Sequence, residues 1–397
     1  MKPDPTELQN VAVYGDSKTG WDENTPVNET VDADGNPFPE SVGFGVPDPH
    51  APKTRAYDDP SVVKLRQHLR QNNGIYGLEI CAPDEVDRIA RIFHRDGFVV
   101  VRDLLNTDQL DKFRVGCARM LRQILELGGD GDRKYMTESF RLPHRYSYGT
   151  SSASRQLMHD QAWTDVIDLP TTTPLLTKIF GSDNYRVWGG GGDLCLPGAV
   201  EYQHLHSDLF EKPWIPEARI EQAEQLGLKL KWEDETEELD LHTKQHIMEL
   251  TPSMVTINFV MSDLTWENGP IRQIPGTHTA RQYPPKPVDE PEWMRLSTLV
   301  GAKAGAGVIR DNRAWHGATP NLSKEIRALP NIEYSAPWTP REQSMITMPH
   351  EIWETLSPHA QKLCRYIKSD PGEWPKGAGI MHPFANKRKE AYENGTL

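Results

Sequence analysis

Glu201-Tyr202-Gln203-His204-Leu205-His206-Ser207-Asp208 is the stretch that carries two side chains suited to binding a metal ion. In a β-strand, residues two apart share a face, so the imidazole of His206 and the carboxylate of Asp208 point the same way. A third candidate ligand, His316, follows far downstream in Arg313-Ala314-Trp315-His316-Gly317. Two histidines and one carboxylate on one face of an octahedron suit Fe(II) and leave three coordination positions open.

The His-x-Asp motif is weak evidence by itself, because 14 histidines in a chain rich in aspartate give roughly one such motif by chance. A second copy, His94-Arg95-Asp96, stands at the end of an amphipathic run over residues 84–93. In a helix, residues two apart lie about 200° from each other, so they cannot share a metal. We interpret the second copy as a helix end followed by a turn at Gly97.

Short strands surround the candidate ligands in the sequence. Their patterns fall at residues 98–101, 185–188, 194–196, 254–262, 306–310 and 332–334, with a four-glycine bend predicted over 189–192 and turns on both sides of a short strand within 268–278. The strands do not alternate regularly with helices. This pattern indicates an antiparallel sandwich or barrel, mainly β, flanked by helices from the N-terminal part.

Helices are predicted where apolar periodicity meets start and stop signals. Residues 60–71, 84–96, 107–127, 173–180 and 357–367 have this character, and Asn106-Thr107-Asp108-Gln109 predicts a capping box. The charged segment 210–250 contains two further helical patterns, one from Pro216 to about Gly227 and one from about Glu233 to Leu250. We interpret this segment as an insertion in the β-core and a candidate lid. His242 and His246 lie four apart on its second helix, where a solvated helix face is the favoured interpretation.

The ends of the chain differ in composition from the middle. Residues 1–57 are rich in Pro, Gly, Asp and Asn without a sustained period and predict an irregular arm. Residues 58–345 hold the predicted β-domain with its helical insertion at about 210–250, and residues 346–397 form a C-terminal helical extension packed on the same domain.

Composition and charge exclude several classes of protein. The net charge of −13 disfavours a nucleic-acid or anionic-membrane partner. Cys81, Cys117, Cys195 and Cys364 form no C-x-x-C pair, which argues against a disulfide framework and a zinc knuckle. No apolar signal segment follows Met1 and no run approaches 18 apolar residues. We therefore expect a cytoplasmic protein in a reducing compartment that acts on a small-molecule substrate, without nucleic-acid or membrane partners.

The order of these motifs resembles that of a known family. A helix ending in Phe-x-x-Asp-Gly-Phe-Val-Val-Val precedes Gln-x-x-His-x-Asp, then Asn-Gly-Pro-x-x-x-x-Pro-Gly-Thr-His, then Trp-His-Gly and an arginine eleven residues after the histidine. From about residue 84 to residue 338, this order is similar to the phytanoyl-CoA dioxygenase family of Fe(II)- and 2-oxoglutarate-dependent oxygenases. The combination is much more specific than any single motif.

The resemblance implies a fold, a reaction and a set of site residues. The implied fold is a double-stranded β-helix, also called a jelly roll, as in cupins. The implied metal ligands are His206, Asp208 and His316, and Arg327 matches the arginine that binds the distal carboxylate of 2-oxoglutarate, to which a planar guanidinium is well suited. Gln203 is a further co-substrate candidate. The family often has a serine or threonine two residues after the last ligand, where Ala318 stands here, and Thr319 is the neighbouring candidate.

The resemblance implies hydroxylation of an unactivated C–H bond, with O2 consumed and succinate and CO2 released; desaturation and cyclisation remain open. A cupin-like metal enzyme that does not use 2-oxoglutarate is one alternative, and a non-catalytic β-helix binding module is another. Candidate substrate contacts are Arg141, His144, Arg145, Tyr148 and Arg186, whose basic groups suit an acidic small molecule. The sequence leaves the substrate and the oligomeric state open, homo-oligomers included.

Overall fold

The computed structural model describes most of the chain between residues 56 and 378. The described residues are 6, 8–9, 21, 56–71, 77–127, 144–152, 156–200, 202–233, 238–285, 298–340, 345–376 and 378. Within these ranges, no helix combines the length and the apolar character that crossing a bilayer requires. All four cysteines are buried free thiols.

Three helices precede most of the strands, and they begin and end at the predicted signals except that α2 begins at Val86, two residues after its predicted start. They are α1 (Pro60–Gln71), α2 (Val86–Asp96) and α3 (Thr107–Leu127). Helix α2 ends at Gly97, whose φ of 80° is left-handed. The capping box of α3 is reciprocal, because Gln109 N donates to Asn106 Oδ1 and Asn106 N donates to Gln109 Oε1, each at 2.9 Å. Local sequence therefore sets these boundaries.

Six further helices follow in the described ranges. They are α4 (Gln161–Thr164), α5 (Thr173–Phe180), α6 (Glu217–Gln225), α7 (Leu241–Leu250), α8 (His350–Thr355) and α9 (Pro358–Leu363). The prediction that the second insertion helix begins near Glu233 is wrong. Helix α7 begins at Leu241, because the Asp240 side chain accepts a hydrogen bond from Thr243 N at 2.7 Å and so caps it there.

Ten strands in the described ranges form two sheets. The strands are β1 (Ile80–Cys81), β2 (Phe98–Val101), β3 (Arg145–Ser147), β4 (Arg186–Cys195), β5 (Met254–Phe259), β6 (Ile271–Gln273), β7 (Thr298–Leu299), β8 (Gly307–Asp311), β9 (His316–Ala318) and β10 (Arg327–Ser335). The large sheet has the order β1-β2-β8-β5-β10-β4-β3 and the small sheet the order β7-β6-β9. Every described pairing is antiparallel except β1 with β2.

The two sheets enclose a common interior. Val100, Val308 and Leu329 of the large sheet share one apolar cluster with Ile271 of the small sheet and Val300 beside it. Alternate residues on the same large-sheet strands, such as Ile309 and Ile332, instead belong to the main core beneath the helices. The large sheet is thus covered by helices on one face and by the small sheet on the other. This arrangement is a double-stranded β-helix with flanking helices, as expected.

The four glycines at 189–192 do not form the predicted bend, because β4 runs continuously through them. A Cβ added to Gly189 would lie 2.0 Å from Gln156 Oε1, and one added to Gly192 would lie 2.3 Å from the Leu329 carbonyl oxygen. Gly192 also has a φ of 115°. Glycine is needed here because a neighbouring side chain and strand β10 approach the β4 backbone closely.

Candidate metal centre

The three predicted metal ligands meet where the His206 segment pairs with β9. His206 does not lie in a regular strand. It forms a single antiparallel bridge with His316, in which each backbone N–H donates to the other residue's carbonyl at 2.9 Å. Asp208 N donates to Asn312 O at 2.9 Å, which holds the backbone at Asp208 against the segment that precedes His316. The bridge places both imidazoles on one face, with ring centroids 4.2 Å apart.

The ligand atoms have a spacing suited to one metal ion. Asp208 Oδ1 lies 3.6 Å from His206 Nε2 and 3.7 Å from His316 Nε2, and the three groups' ligand atoms all lie within 4.8 Å of one another. Bonds of about 2.1 Å at right angles would separate neighbouring ligand atoms by roughly 3 Å, so a small inward movement completes the site.

Second hydrogen bonds fix the orientation of both imidazoles. His206 Nδ1 lies 2.9 Å from the His204 carbonyl oxygen, and His316 Nδ1 lies 3.0 Å from the Ala314 carbonyl oxygen. A carbonyl accepts only, so Nδ1 of His206 carries the proton. At His316 the Ala314 carbonyl, at 3.0 Å against 3.3 Å for Arg310 Nη1, favours the same tautomer. Each Nε2 then keeps its lone pair for a metal. Metal-binding histidines commonly donate their other N–H in this way.

Arg310 is a part of this site that the motif did not reveal. Its Nη1 donates to Asp208 Oδ2 at 2.7 Å and lies 3.3 Å from His316 Nδ1. Burial alone would raise the pKa of Asp208, but the charges of Arg310 and of the two imidazoles hold it well below its usual range. Burial, together with Arg310 and His206, lowers the pKa of His316 far below its ordinary value. The free protein therefore has an ionised Asp208 and a neutral His316, which are the forms that bind metals.

The co-substrate candidates lie in different environments. Arg327 is 2% exposed at the start of β10, and Nη1 donates a long bond to the Asp193 carbonyl at 3.5 Å. No carboxylate in the described part of the chain forms an ion pair with Arg327, and burial lowers its pKa. The Gln203 backbone N donates to Ala318 O, and its carbonyl accepts from the Arg272 guanidinium, each at 2.9 Å. The Thr319 hydroxyl donates to Pro270 O at 2.7 Å, so its proton is engaged in a hydrogen bond within the fold.

The substrate candidates are mostly not gathered in one place. Arg141 lies outside the described residues. His144 is buried with a left-handed φ of 64°. Arg145 is buried on β3 and donates to Thr319 O at 2.7 Å. Through Cys195 it lies in the same cross-strand row as Arg327.

As substrate contacts, Tyr148 and Arg186 stay predictions, and both side chains are buried. Tyr148 is fully buried in the main core beneath the helices, 5.3 Å from the Trp163 ring. Arg186 is 2% exposed and donates to the carbonyl of Ala336 and to Thr339, so it joins β4 to the chain after β10.

Two further polar groups face the interior and had no sequence signal. Glu333 lies directly opposite Thr256 on β5, which lies opposite Arg310 on β8, so the three share one row on the inner face. Burial, with Asp208 next in importance, raises the pKa of Glu333 to about 7. Gln273 lies opposite His316 and is fully buried, and neither end of its amide has a hydrogen-bond partner among the described residues.

The insertion is attached to the loop that leads to His316. Glu211 forms ion pairs with Arg219 of α6 at 2.8 Å and with Arg313 at 3.2 Å. Arg313 also pairs with Asp311 at 2.7 Å. These buried charges fix the insertion beside the ligand-bearing segments.

A cavity of about 600 Å³ lies between the insertion and those segments. Its lining includes Ser207, Met248, Arg281 and Trp315. Ser207 and Trp315 adjoin the ligands in sequence. Because neighbouring residues in extended chain point to opposite sides, the cavity lies on the far side of the ligand-bearing backbone from the metal ligands.

The competing histidine motifs have other structural roles. His94 and Asp96 lie at the end of α2, as predicted, and burial lowers the pKa of His94 to about 4. His242 and His246 lie on α7 with ring centroids 4.2 Å apart. In the described ranges, His206, Asp208 and His316 are the one group of three or more potential ligands close enough to hold an ion.

Comparison with known proteins places the chain in a family. The dioxygenase olcK of Penicillium canescens is 24% identical over 293 residues, covering 72% of this chain and 82% of olcK. The dioxygenase aneA of Aspergillus aculeatus is 29% identical over 127 residues, or 31% of this chain and 41% of aneA.

Solved structures similar to this chain include HygX from Streptomyces hygroscopicus, determined with nickel, 2-oxoglutarate and hygromycin B. It is 14% identical with a TM-score of 0.42, covering 63% of this chain and 87% of HygX. The epimerase SnoN, determined with Fe3+, α-ketoglutarate and nogalamycin RO, is 16% identical with a TM-score of 0.42, covering 64% of this chain and 84% of SnoN. The family model for phytanoyl-CoA dioxygenase matches residues 93–329, more than half of the sequence. The protein therefore belongs to the phytanoyl-CoA dioxygenase family.

Proposed function

We propose that this dioxygenase, which uses Fe(II), 2-oxoglutarate and O2, oxidises an unactivated C–H bond of a small organic molecule at the His206, Asp208 and His316 site. Hydroxylation is the default outcome, and succinate and CO2 are released. The observation that carries the proposal is the meeting of three ligand atoms within 4.8 Å, with both imidazoles presenting Nε2. When bound, iron and 2-oxoglutarate supply the oxidising power for the reaction.

The donor set fits Fe(II) in number and in kind. Two neutral imidazoles and one carboxylate leave half of an octahedron for co-substrate and O2. Asp208 is already ionised and His316 already neutral in the free protein, so binding a dication requires no proton to leave either group. The chain therefore presents a preorganised site.

Arg327 is the proposed partner of the distal carboxylate of 2-oxoglutarate. Its guanidinium is buried on the β10 strand, with Nε lacking a hydrogen-bond partner and no carboxylate of the described chain paired with it. A buried, unpaired charge is costly, so an incoming carboxylate would be bound strongly. Arg145, in the same row, is proposed to add positive charge there rather than to contact substrate. Gln203 remains a proposed secondary contact.

The protein's remaining work is to orient substrate and to exclude water. The apolar cluster shared by the two sheets closes one part of the interior. Beside it, the polar row of Arg310, Thr256 and Glu333 continues the inner face away from the ligands. We propose that substrate lies against the Thr256 and Glu333 part of this row, because an apolar wall with a few placed polar groups is typical of small-molecule sites.

The test is anaerobic addition of Fe(II) and then 2-oxoglutarate, followed by the visible metal-to-ligand charge-transfer band. The wild type should give the band, Asp208→Ala should give none because iron is not held, and Arg327→Ala should need at least about tenfold more 2-oxoglutarate because a charge-assisted bidentate pair is lost.

His242→Ala is the matched control, since it removes a histidine from the other close histidine pair and should behave as wild type. Loss of the band in His242→Ala would place the metal on α7 and overturn the proposed site.

A cupin-like enzyme that does not use 2-oxoglutarate is the second candidate. It would bind iron through the same three residues and would show no band at any 2-oxoglutarate concentration. Buried Arg327 forms no ion pair within 4 Å among the described residues, although the charge of Asp193 acts on it, and 2-oxoglutarate would supply a carboxylate partner, which favours the first candidate.

We also propose a cytoplasmic location. Support comes from four buried free thiols in the described chain, which fit a reducing compartment.

A further inference from the structure

Arg310 forms a hydrogen bond with only one of the two carboxylate oxygens of Asp208. Oδ2 accepts from Arg310 Nη1 at 2.7 Å, whereas Oδ1 lies 3.6 and 3.7 Å from the two Nε2 atoms. The guanidinium is 5% exposed and comes from β8, so it approaches the carboxylate from the inner face of the large sheet. One oxygen is thus presented to a metal and the other is occupied.

A carboxylate can bind a metal through one oxygen or through both. A charge-assisted hydrogen bond competes directly for the lone pairs of the second oxygen. If both oxygens of Asp208 bound iron, the ligands would fill four of six positions and leave two. Bidentate 2-oxoglutarate would then have to bind in a more crowded shell at the two positions that remain, which weakens its binding, and O2 would have none.

We infer that Arg310 is a positioning residue that holds Asp208 as a one-oxygen ligand and so preserves the coordination positions for 2-oxoglutarate and O2. This inference rests on the proposed function of the site. Arg310 acts through Asp208 and touches neither the substrate nor the co-substrate. Its hydrogen bond, rather than its charge, is the property that matters.

A role in charge balance alone makes the opposite prediction. A guanidinium beside the ligands repels a dication, so its removal would strengthen metal binding and leave the coordination mode unchanged. The two roles are separated by variants that remove the hydrogen bond, the charge or both.

The experiment compares wild type with Arg310→Met, Arg310→Gln and Arg310→Lys by anaerobic titration. Fe(II) affinity is measured first, and 2-oxoglutarate affinity is then measured from the charge-transfer band. Arg310→Met has neither property, Arg310→Gln keeps a neutral donor, and Arg310→Lys keeps donor and charge. Arg114→Met removes an ion-paired arginine on α3 and is the control for loss of an arginine.

We expect Arg310→Met to retain iron but to bind 2-oxoglutarate at least tenfold more weakly, with a shifted band. Arg310→Gln and Arg310→Lys should each recover at least part of the loss, and Arg114→Met should match wild type. If Arg310→Met fails to fold, the Gln and Lys variants still decide between hydrogen bond and charge.

Three results would overturn the inference. The first is an unchanged 2-oxoglutarate affinity in Arg310→Met, and the second is loss of iron binding in folded Arg310→Met. The third is a 2-oxoglutarate affinity that is as low in Arg310→Gln as in Arg310→Met but normal in Arg310→Lys. The first result would mean that Arg310 is dispensable for 2-oxoglutarate binding, and the second that it is essential for iron binding. The third would assign the effect of Arg310 to its charge. If the wild type gives no band, the proposed function fails instead, so the two failures are distinguishable.

Discussion

Glu333→Gln should stabilise the metal-free protein at alkaline pH and leave it nearly unchanged at acidic pH. Glu333 faces the interior from β10, in one row with Thr256 and Arg310. Burial is the main cause that raises the pKa of its carboxyl from 4.5 to about 7, followed by the negative charge of Asp208. Glutamine imitates the neutral acid and cannot ionise.

The sign and size of the effect follow from proton linkage. A carboxyl whose pKa is raised by folding contributes stability that is present below the unfolded pKa and is lost as pH rises through the folded pKa. Between these two values the native state holds a proton that the unfolded chain releases. The wild type therefore loses about 1.4 kcal/mol per pH unit, which gives about 2.5 kcal/mol between pH 5 and pH 8 for the values above.

The assay is urea unfolding of wild type and Glu333→Gln at pH 5, 6, 7 and 8 with a chelator present, because a bound dication would lower the pKa of Glu333. Other buried groups, such as His94, change stability with pH in both proteins and cancel in the difference. Glu221→Gln, at an exposed position on α6, controls for removal of a carboxylate.

A difference between Glu333→Gln and wild type that stays constant within about 0.5 kcal/mol from pH 5 to pH 8 would refute the reasoning. It would mean that the carboxyl ionises as it does in the unfolded chain, and hence that it lies in water rather than on the inner face. A difference that grows with pH in Glu221→Gln as well would assign the effect to net charge.

Three further predictions concern stability and are checked by urea unfolding. Gly192→Ala should lower the free energy of unfolding by about 3 kcal/mol or more, because its Cβ would lie 2.3 Å from the Leu329 carbonyl oxygen. The control Gly372→Ala, also at positive φ but in open space, should lower it by about 1 kcal/mol. Equal losses would contradict the close approach of β10. Asn106→Ala should cost about 1 kcal/mol by removing the cap of α3, and no change would mean that the cap is replaced by water. Glu211→Gln should cost about 3 kcal/mol, because two buried arginines lose their shared carboxylate, and a neutral result would show that Asp311 suffices.

The helices could be predicted closely because their signals are local. Proline at the start of α1, glycine after α2 and the reciprocal box of α3 act within four residues. Helix α7 shows the limit of this approach, since helical periodicity extends upstream of its true start. The Asp240 cap, which binds Thr243 N, decides the boundary.

The strands were less predictable wherever a distant segment decides their conformation. The glycines at 189–192 look like a bend in sequence. They form a continuous strand because β10 and Gln156 approach too closely for side chains. Arg186 and Tyr148 show the same limit, since polarity in the sequence does not reveal that both side chains are buried.

The sequence by itself determined the candidate ligands His206, Asp208 and His316 and the candidate anion partner Arg327. Their residue types and their order in the motifs can be recognised without a structure. Only the tertiary structure decided which residues surround them. Arg310 and Glu333 join the site through strand register across β8, β5 and β10, and register depends on pairing between segments far apart in the chain. The physical reason is that ligand chemistry is a property of single side chains, whereas orientation, burial and charge coupling are properties of the packed sheets.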